Sequence, residues 1–329
     1  MNKILILGSN SFAGSHLVND SLDKNFKVVG ISRSKNLYNP LQPYFKNKNI
    51  NNFKFYKLDL NKDLYSIIAL IKKFKPEYIV DFAGQGMIAP SFDFPEHWYQ
   101  TNVLSKIKLY NSLARFNFIK KYIKIYTPEV YGSTRKKISE NDHYNPTSPY
   151  AASHAAIDTY LRILNLNYDF PSIITRFSNF YGPHQQNYRL IPNLIIKILT
   201  KKLFILEGKG NSIRSFIYAS DITNALFKVI KKGKNGEIYH FSGSDFYTIR
   251  SIVEKICTSM NVNFNDYIKV GKTRIGLDHS YFMKSQKSKQ KLNWSTKISL
   301  NSGLLKTIAY FDKNINLINK KPSHYIHKK

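Results

Sequence analysis

The chain opens with Lys3-Ile4-Leu5-Ile6-Leu7-Gly8-Ser9-Asn10-Ser11-Phe12-Ala13-Gly14, an apolar run followed by a small-residue turn. The run has the length and content of a buried strand, and Ser15 to Leu22 can continue as a helix. Glycines at 8 and 14 allow a tight turn and close backbone approach, with Ser11 standing between them. The start of the following helix offers free N–H groups and the positive end of its dipole to an anion.

The same alternation continues downstream. Phe26 to Ile31, Phe53 to Leu58, Tyr78 to Phe82, Tyr122 to Tyr126 and Ser172 to Arg176 read as strands. Leu64 to Phe74, Trp98 to Phe116 and Tyr150 to Leu164 read as the intervening helices. Such alternation predicts a doubly wound parallel α/β sheet with right-handed crossovers. Beyond Asn179, prolines and glycines separate shorter elements, which suits a smaller C-terminal α/β lobe. Residues 1–177 are expected to form the first unit, with Ser215 to Ile230 returning to its sheet and 215–240 belonging to it. Residues 178–214 and 241–312 form the lobe, and 313–329 end in a basic, poorly ordered tail from Asn319.

Composition narrows the class. The formal charge of +29 comes from lysines scattered among asparagines and isoleucines, without a nucleic-acid recognition motif, so no nucleic-acid partner is expected. The field instead favours an anionic diphosphate ligand. Cys257 is the only cysteine, so no internal disulfide can form, and a reducing cytoplasm fits. The most apolar stretch, Leu190 to Leu206, is broken by Pro192, Lys197, Lys201 and Lys202, and no membrane association is expected.

Three further segments bear the chemistry: Thr127-Pro128-Glu129-Val130-Tyr131-Gly132, Ser148-Pro149-Tyr150-Ala151-Ala152-Ser153-His154, and Arg176-Phe177-Ser178-Asn179-Phe180-Tyr181-Gly182-Pro183. With the opening turn, they resemble the extended short-chain dehydrogenase/reductases of the NAD-dependent epimerase/dehydratase family. The similarity is greatest to nucleotide-sugar 4,6-dehydratases of the dTDP-glucose and GDP-mannose type. It runs from Lys3 to about Trp294. It implies a Rossmann-like fold, a tightly bound NAD or NADP regenerated in each turnover, an NDP-hexose substrate, no metal, and a homodimer built on the helices near 98–116 and 150–165.

By that resemblance, Gly8, Ser11, Phe12 and Gly14 hold the cofactor pyrophosphate, and Asp59 and Leu60 contact adenine. Phe82 and Ala83 lie beside the ribose and phosphates, with Asn102 on the following helix. Ser32 and Arg33, with Ser34, occupy the position where an acidic residue would select NAD; their hydroxyls and guanidinium suit a 2′-phosphate, although Arg33 can equally stack on adenine. Tyr150 is implied as the base that takes the 4-OH proton, beside the hydroxyl of Thr127, and Glu129 as the base that takes the C5 proton. Gln85, Ser91, Asn179, Arg214 and Arg274 are implied to bind the sugar nucleotide. The arginines at 176, 214 and 274 suit phosphate because a guanidinium binds two oxygens at once.

Two positions depart from the pattern. His154 replaces the lysine that lowers the tyrosine pKa and holds the ribose, and Pro128 replaces an acid that protonates the leaving hydroxyl. A neutral imidazole can bond a ribose hydroxyl but adds no full charge at neutral pH. The residues leave open an enzyme with an alkaline optimum, one in which another cation substitutes, and a binder that has lost catalysis. A 4-epimerase or 4-reductase on the same scaffold is the nearest alternative activity.

Overall fold

The computed structural model describes residues 1–35, 42–273 and 275–327. Its centre is a seven-stranded, wholly parallel sheet. The strands are β1 (Lys3–Leu7), β2 (Lys27–Ser32), β3 (Phe53–Lys57), β4 (Tyr78–Asp81) and β5 (Lys121–Tyr126). After a short β6 (Lys137–Ile138) come β7 (Ser172–Phe177), β8 (Asn179–Tyr181), β9 (Phe204–Glu207), β10 (Ile213–Arg214), β11 (Phe216–Tyr218) and β12 (Ile238–Phe241). The sheet order is β12-β7-β5-β4-β1-β2-β3, with every pair parallel.

The apolar run of β1 works as two faces. Ile4 and Ile6 pack into one core with α1 (Phe12–Asp23), while Leu5 and Leu7 pack into the other with α2 (Leu64–Phe74). A strand covered on both faces must be apolar at every position, which is why this segment shows no alternation. Short helices α3 (Pro90–Asp93) and α4 (Pro95–Tyr99) precede α5 (Ser105–Leu113) and α6 (Pro149–Tyr168), the latter two packed on the Leu5 face. The lobe has its own core around α7 (Leu190–Leu199), where Leu194 and Ile195 meet Ile252 and Phe311. No helix among the described residues is long and apolar enough to cross a membrane.

Three expectations change. The helix foreseen from Trp98 to Phe116 contains a π-helical turn, Gln100–Leu104, that presents Asn102 to the 84–85 segment. The segment from Ser215 does not rejoin the main sheet directly: β11 pairs with β8, helix α8 (Ala219–Lys232) packs on α1, and β12 is the strand that returns. Lastly, the basic tail is docked. Asn187 and Asn193 donate to the carbonyls of Ile318 (3.0 Å) and Ser323 (2.8 Å). The His327 ring stacks on Trp98 with centroids 5.2 Å apart and planes 2° from parallel. Polar composition suggested disorder, but long-range amide donors and an aromatic slot satisfy this backbone.

Three histidines are held neutral. Burial pushes the His16 imidazole down to about 4, against a bond to the Pro183 carbonyl, and pushes His154 and His240 well below the ordinary range. Each takes up a proton on unfolding once the pH drops below its unfolded value near ~6.5. Their stabilisation is therefore complete above about pH 6.5 and lost as the pH falls toward the folded values, each at up to about 1.4 kcal/mol per pH unit. Thermal melts between about pH 8 and 5 should show the midpoint falling below about pH 6.5, and His16→Gln should flatten that slope. A midpoint constant across the range would contradict it.

Candidate active site

The ends of β1, β4 and β5 converge with the start of α6 on a cleft of about 810 Å³ that also meets the lobe. The opening turn is fixed sterically. Gly8 has φ +79°, and a Cβ there would lie 2.9 Å from the Phe82 carbonyl carbon and the Ala83 nitrogen. Ser11 caps α1, its hydroxyl accepting from Gly14 N at 3.1 Å. Ser11, Phe12, Arg33, Phe82 and Ala83 line the cleft, whereas Gly8 and Gly14 shape the turn behind it. The Ser32 hydroxyl is engaged by Asn10 N at 3.0 Å. Asp59 and Leu60 do not line the cleft: Asp59 accepts from Asn61 N at 2.8 Å, and Leu60 packs in the α2 core.

The next wall is built by two helix starts. Thr127 caps a short turn, Pro128–Tyr131, in which Pro128 occupies the first position, where a missing N–H is harmless. Ser148 caps α6, with Pro149 next, and this places Tyr150 at the mouth of the helix. Tyr150 N donates to Ser91 Oγ at 3.2 Å. Ser91, expected against the hexose, is instead fully buried, its hydroxyl donating to Ile88 O at 2.6 Å. It anchors the helix start rather than lining the cleft.

The i, i+4 spacing sets the His154 ring edge-to-face with Tyr150, with centroids 4.7 Å apart, and with Tyr126 on its other side at 5.3 Å. Burial and the nearby Glu129 charge push the Tyr150 phenol well above its usual value, while the Thr127 hydroxyl and Arg189 pull it back. His154 is neutral, first through burial and then through the charges of Lys124, Arg176 and Lys106. Burial raises Glu129 too, opposed by Arg214 and Arg189. The centre thus holds a protonated tyrosine, an uncharged imidazole and a carboxylate of weakened acidity.

Gln85, Asn179 and Arg214 line the cleft. The Arg214 guanidinium is locked by the carbonyls of Ile213 (2.8 Å), Asp278 (2.8 Å) and His279 (3.0 Å), over the Tyr281 ring. Arg274 lies outside the described residues. Arg176, expected to suit phosphate, does not line the cleft. It is fully buried on β7, paired with Asp158 and Tyr144, with Nε donating to Tyr131 OH at 3.1 Å. Its motif position put it in a strand buried on both faces, where its charge meets a helix carboxylate.

Lys124, Arg189 and Tyr325 also line the cleft, and the sequence reading did not include them. A lysine inside the otherwise apolar β5 run was the available signal for the first. Tyr325 comes from the docked tail, and nothing local in the sequence announces it. His154 Nδ1 and Glu129 Oε2 are buried without a hydrogen-bond partner among the described residues. Both belong to cleft-lining side chains, which fits a polar dinucleotide and its sugar partner rather than a sealed core.

A family model described as GDP-mannose 4,6 dehydratase matches residues 5–307. Among curated relatives, the human dTDP-D-glucose 4,6-dehydratase is 31% identical over 95% of this chain and 91% of its own. A probable dTDP-glucose 4,6-dehydratase of Sinorhizobium fredii is 27% identical over 95% and 93%. Among solved structures, a Bacillus anthracis dTDP-glucose 4,6-dehydratase in complex with NAD aligns with TM-score 0.86 and 28% identity, covering 97% of this chain and 99% of that one. A Thermotoga maritima UDP-glucose 4-epimerase shares the fold, with TM-score 0.85 and 24% identity over 95% and 99%.

Proposed function

Since the chain belongs to the GDP-mannose 4,6-dehydratase family, we propose that it converts an NDP-hexose to the NDP-4-keto-6-deoxyhexose with loss of one water. The observation that carries this reading is Glu129, a half-buried residue whose Oε2 is buried without a hydrogen-bond partner, in the same cleft as Tyr150. A 4-epimerase needs a base only at the 4-oxygen, whereas elimination across C5–C6 needs a second one for carbon.

The parallel-sheet unit, 1–177 with 215–240, is assigned to the dinucleotide, and 178–214 with 241–312 to the sugar nucleotide. Ser11, Phe12, Phe82 and Ala83 would hold NAD or NADP, which would supply the hydride acceptor for C4 and the hydride donor for C6. Tyr150 takes the 4-OH proton, and Thr127 bonds the same oxygen. With a ketone at C4, the C5 proton is acidified, and Glu129 removes it as hydroxide leaves C6. A Glu129 raised by burial can protonate the departing oxygen in turn, which makes an acid at Pro128 dispensable. Tyr150 then releases the 4-OH proton to solvent, and Glu129 takes one from solvent and delivers it to C5. Asn179 and Arg214 hold the diphosphate, where fixed donors act without reorganisation.

The exposed Leu104, Ile163 and Leu166, on the helical segments that form this side of the sheet, support a homodimer through those segments. The enzyme is placed in the cytoplasm, in keeping with a single buried cysteine.

Purified protein incubated with dTDP-, GDP-, UDP- and CDP-hexoses, without added cofactor, is expected to remove the mass of water from one of them. Because Tyr150 is held protonated, the rate should rise with pH through the neutral range and into the alkaline. Unchanged mass for every sugar, in protein holding NAD(P), would reject dehydration on that panel. Chromatography of the same mixtures then tests epimerisation.

A further inference from the structure

Lys124 is an anomaly of the fold. It sits in the middle of β5 between Ile123 and Ile125, its side chain 3% exposed. Its Nζ lies 3.2 Å from Asp81 Oδ2 and donates to the Ala83 carbonyl at 3.0 Å, in the segment that lines the cofactor side of the cleft. Asp81 does not need it. That carboxylate already accepts from Lys106 Nζ at 2.6 and 2.8 Å, from Tyr122 OH at 2.5 Å and from Ala83 N at 2.9 Å. A second carboxylate of this wall, Asp158 on α6, is taken by Arg176 of β7.

Three basic groups therefore face two carboxylates in a buried wall, where unmatched charge is costly. Burial lowers the Lys124 ammonium from its ordinary value and brings Lys106 down to about 7, while Asp81 opposes both shifts. Lys124 is also the one of the three that lines the cleft. From Lys124 a continuous stack leads to the base: Nζ is 5.1 Å from the Tyr126 ring centroid, Tyr126 meets His154 at 5.3 Å, and His154 meets Tyr150 at 4.7 Å. The ionisable groups around this stack include Asp81 on β4, Tyr122 on β5, Lys106 and Tyr110 on α5, Asp158 on α6 and Arg176 on β7, with Glu129 and Arg189 acting on Tyr150.

We propose that Lys124 and His154 together fill the place of the missing helix lysine: Lys124 supplies positive charge from the strand, and His154 supplies the hydrogen bond to the cofactor ribose. The His154 side chain lines the cleft, and its neutral imidazole has Nδ1 buried with no hydrogen-bond partner among the described residues. Lys124 contributes to that neutrality, since its charge is the largest electrostatic influence on His154 after burial. Lys124 is thus a positioning residue, acting on the ribose through His154 and on the cleft wall through its field. The inference rests on the dinucleotide site proposed above.

Its test is read first on dinucleotide binding, by fluorescence titration with NAD and NADP in the absence of sugar, and then on the pH–rate profile. Lys124→Met, and Lys124→Gln (which can keep a bond to Ala83 O without the charge), are expected to weaken binding by about tenfold, the scale of one charge-assisted hydrogen bond. Both should move the alkaline rise of the rate to higher pH. Lys106 still satisfies Asp81, so both should stay folded, as thermal melts will show. His154→Lys alone places a second cation beside Lys124 and should also bind weakly. The double variant Lys124→Met with His154→Lys should regain wild-type affinity and profile.

A double variant no better than the sum of its parents would overturn the proposal, as would unchanged affinity in Lys124→Met and Lys124→Gln. So would a lone His154→Lys that binds more tightly. Wild-type protein that binds dinucleotide but dehydrates no sugar would defeat the reaction assigned above and leave the binding arm decisive for Lys124. Protein that binds neither dinucleotide would overturn both.

Discussion

Glu129→Gln is expected to slow dehydration by about 10²–10⁴-fold, the usual contribution of a positioned general base. Glutamine is nearly isosteric and can occupy the same half-buried place, but it can neither take the C5 proton nor pass it on. In heavy water, wild-type product should lose water and gain one solvent deuterium at C5, because Glu129 passes the proton taken there to the departing oxygen and returns a deuteron drawn from solvent. The variant should lose both signals together while its dinucleotide affinity stays unchanged, since Glu129 bears on the sugar side of the cleft through Arg189 and Arg214. Mass spectrometry of the two reactions settles the matter. Undiminished turnover in Glu129→Gln, with no change in product mass, would instead mark a 4-epimerase.

Arg176→Met is expected to cost about 3–5 kcal/mol of stability, because it strands the Asp158 carboxylate in the core without its counter-charge. Both partners are fully buried, and Tyr131 and Tyr144 complete the cluster. Burial already pushes Asp158 upward and the Arg176 charge holds it back, so without the arginine the carboxyl should be protonated in the fold. The loss should shrink in Arg176→Met combined with Asp158→Leu, where no charge is left unpaired. Urea unfolding curves of the three proteins measure it. A loss of substrate affinity with unchanged stability would return Arg176 to the phosphate-binding role its motif suggested.

The difference between motif and place is clearest at the arginines. Arg176 and Arg214 stand in similar-looking segments, yet one lies inside a strand covered on both faces and the other faces the cleft. Ser91 shows the same thing on a smaller scale, its hydroxyl used to seat Tyr150.

Local order in the chain was enough for the parallel sheet, the glycine turn and the capped starts of the Thr127 turn and α6, because each depends on residues within a few positions of one another. The Tyr150–His154 pair was legible for the same reason, since helical geometry alone stacks positions i and i+4. The electrostatic state of that pair was not. The neutrality of His154, the elevation of Tyr150, the surplus basic group at Lys124 and the docking of His327 against Trp98 all depend on charges and rings brought together from distant segments. Desolvation and Coulomb forces act through space, so only the folded arrangement of β4, β5, α5 and α6 decides them.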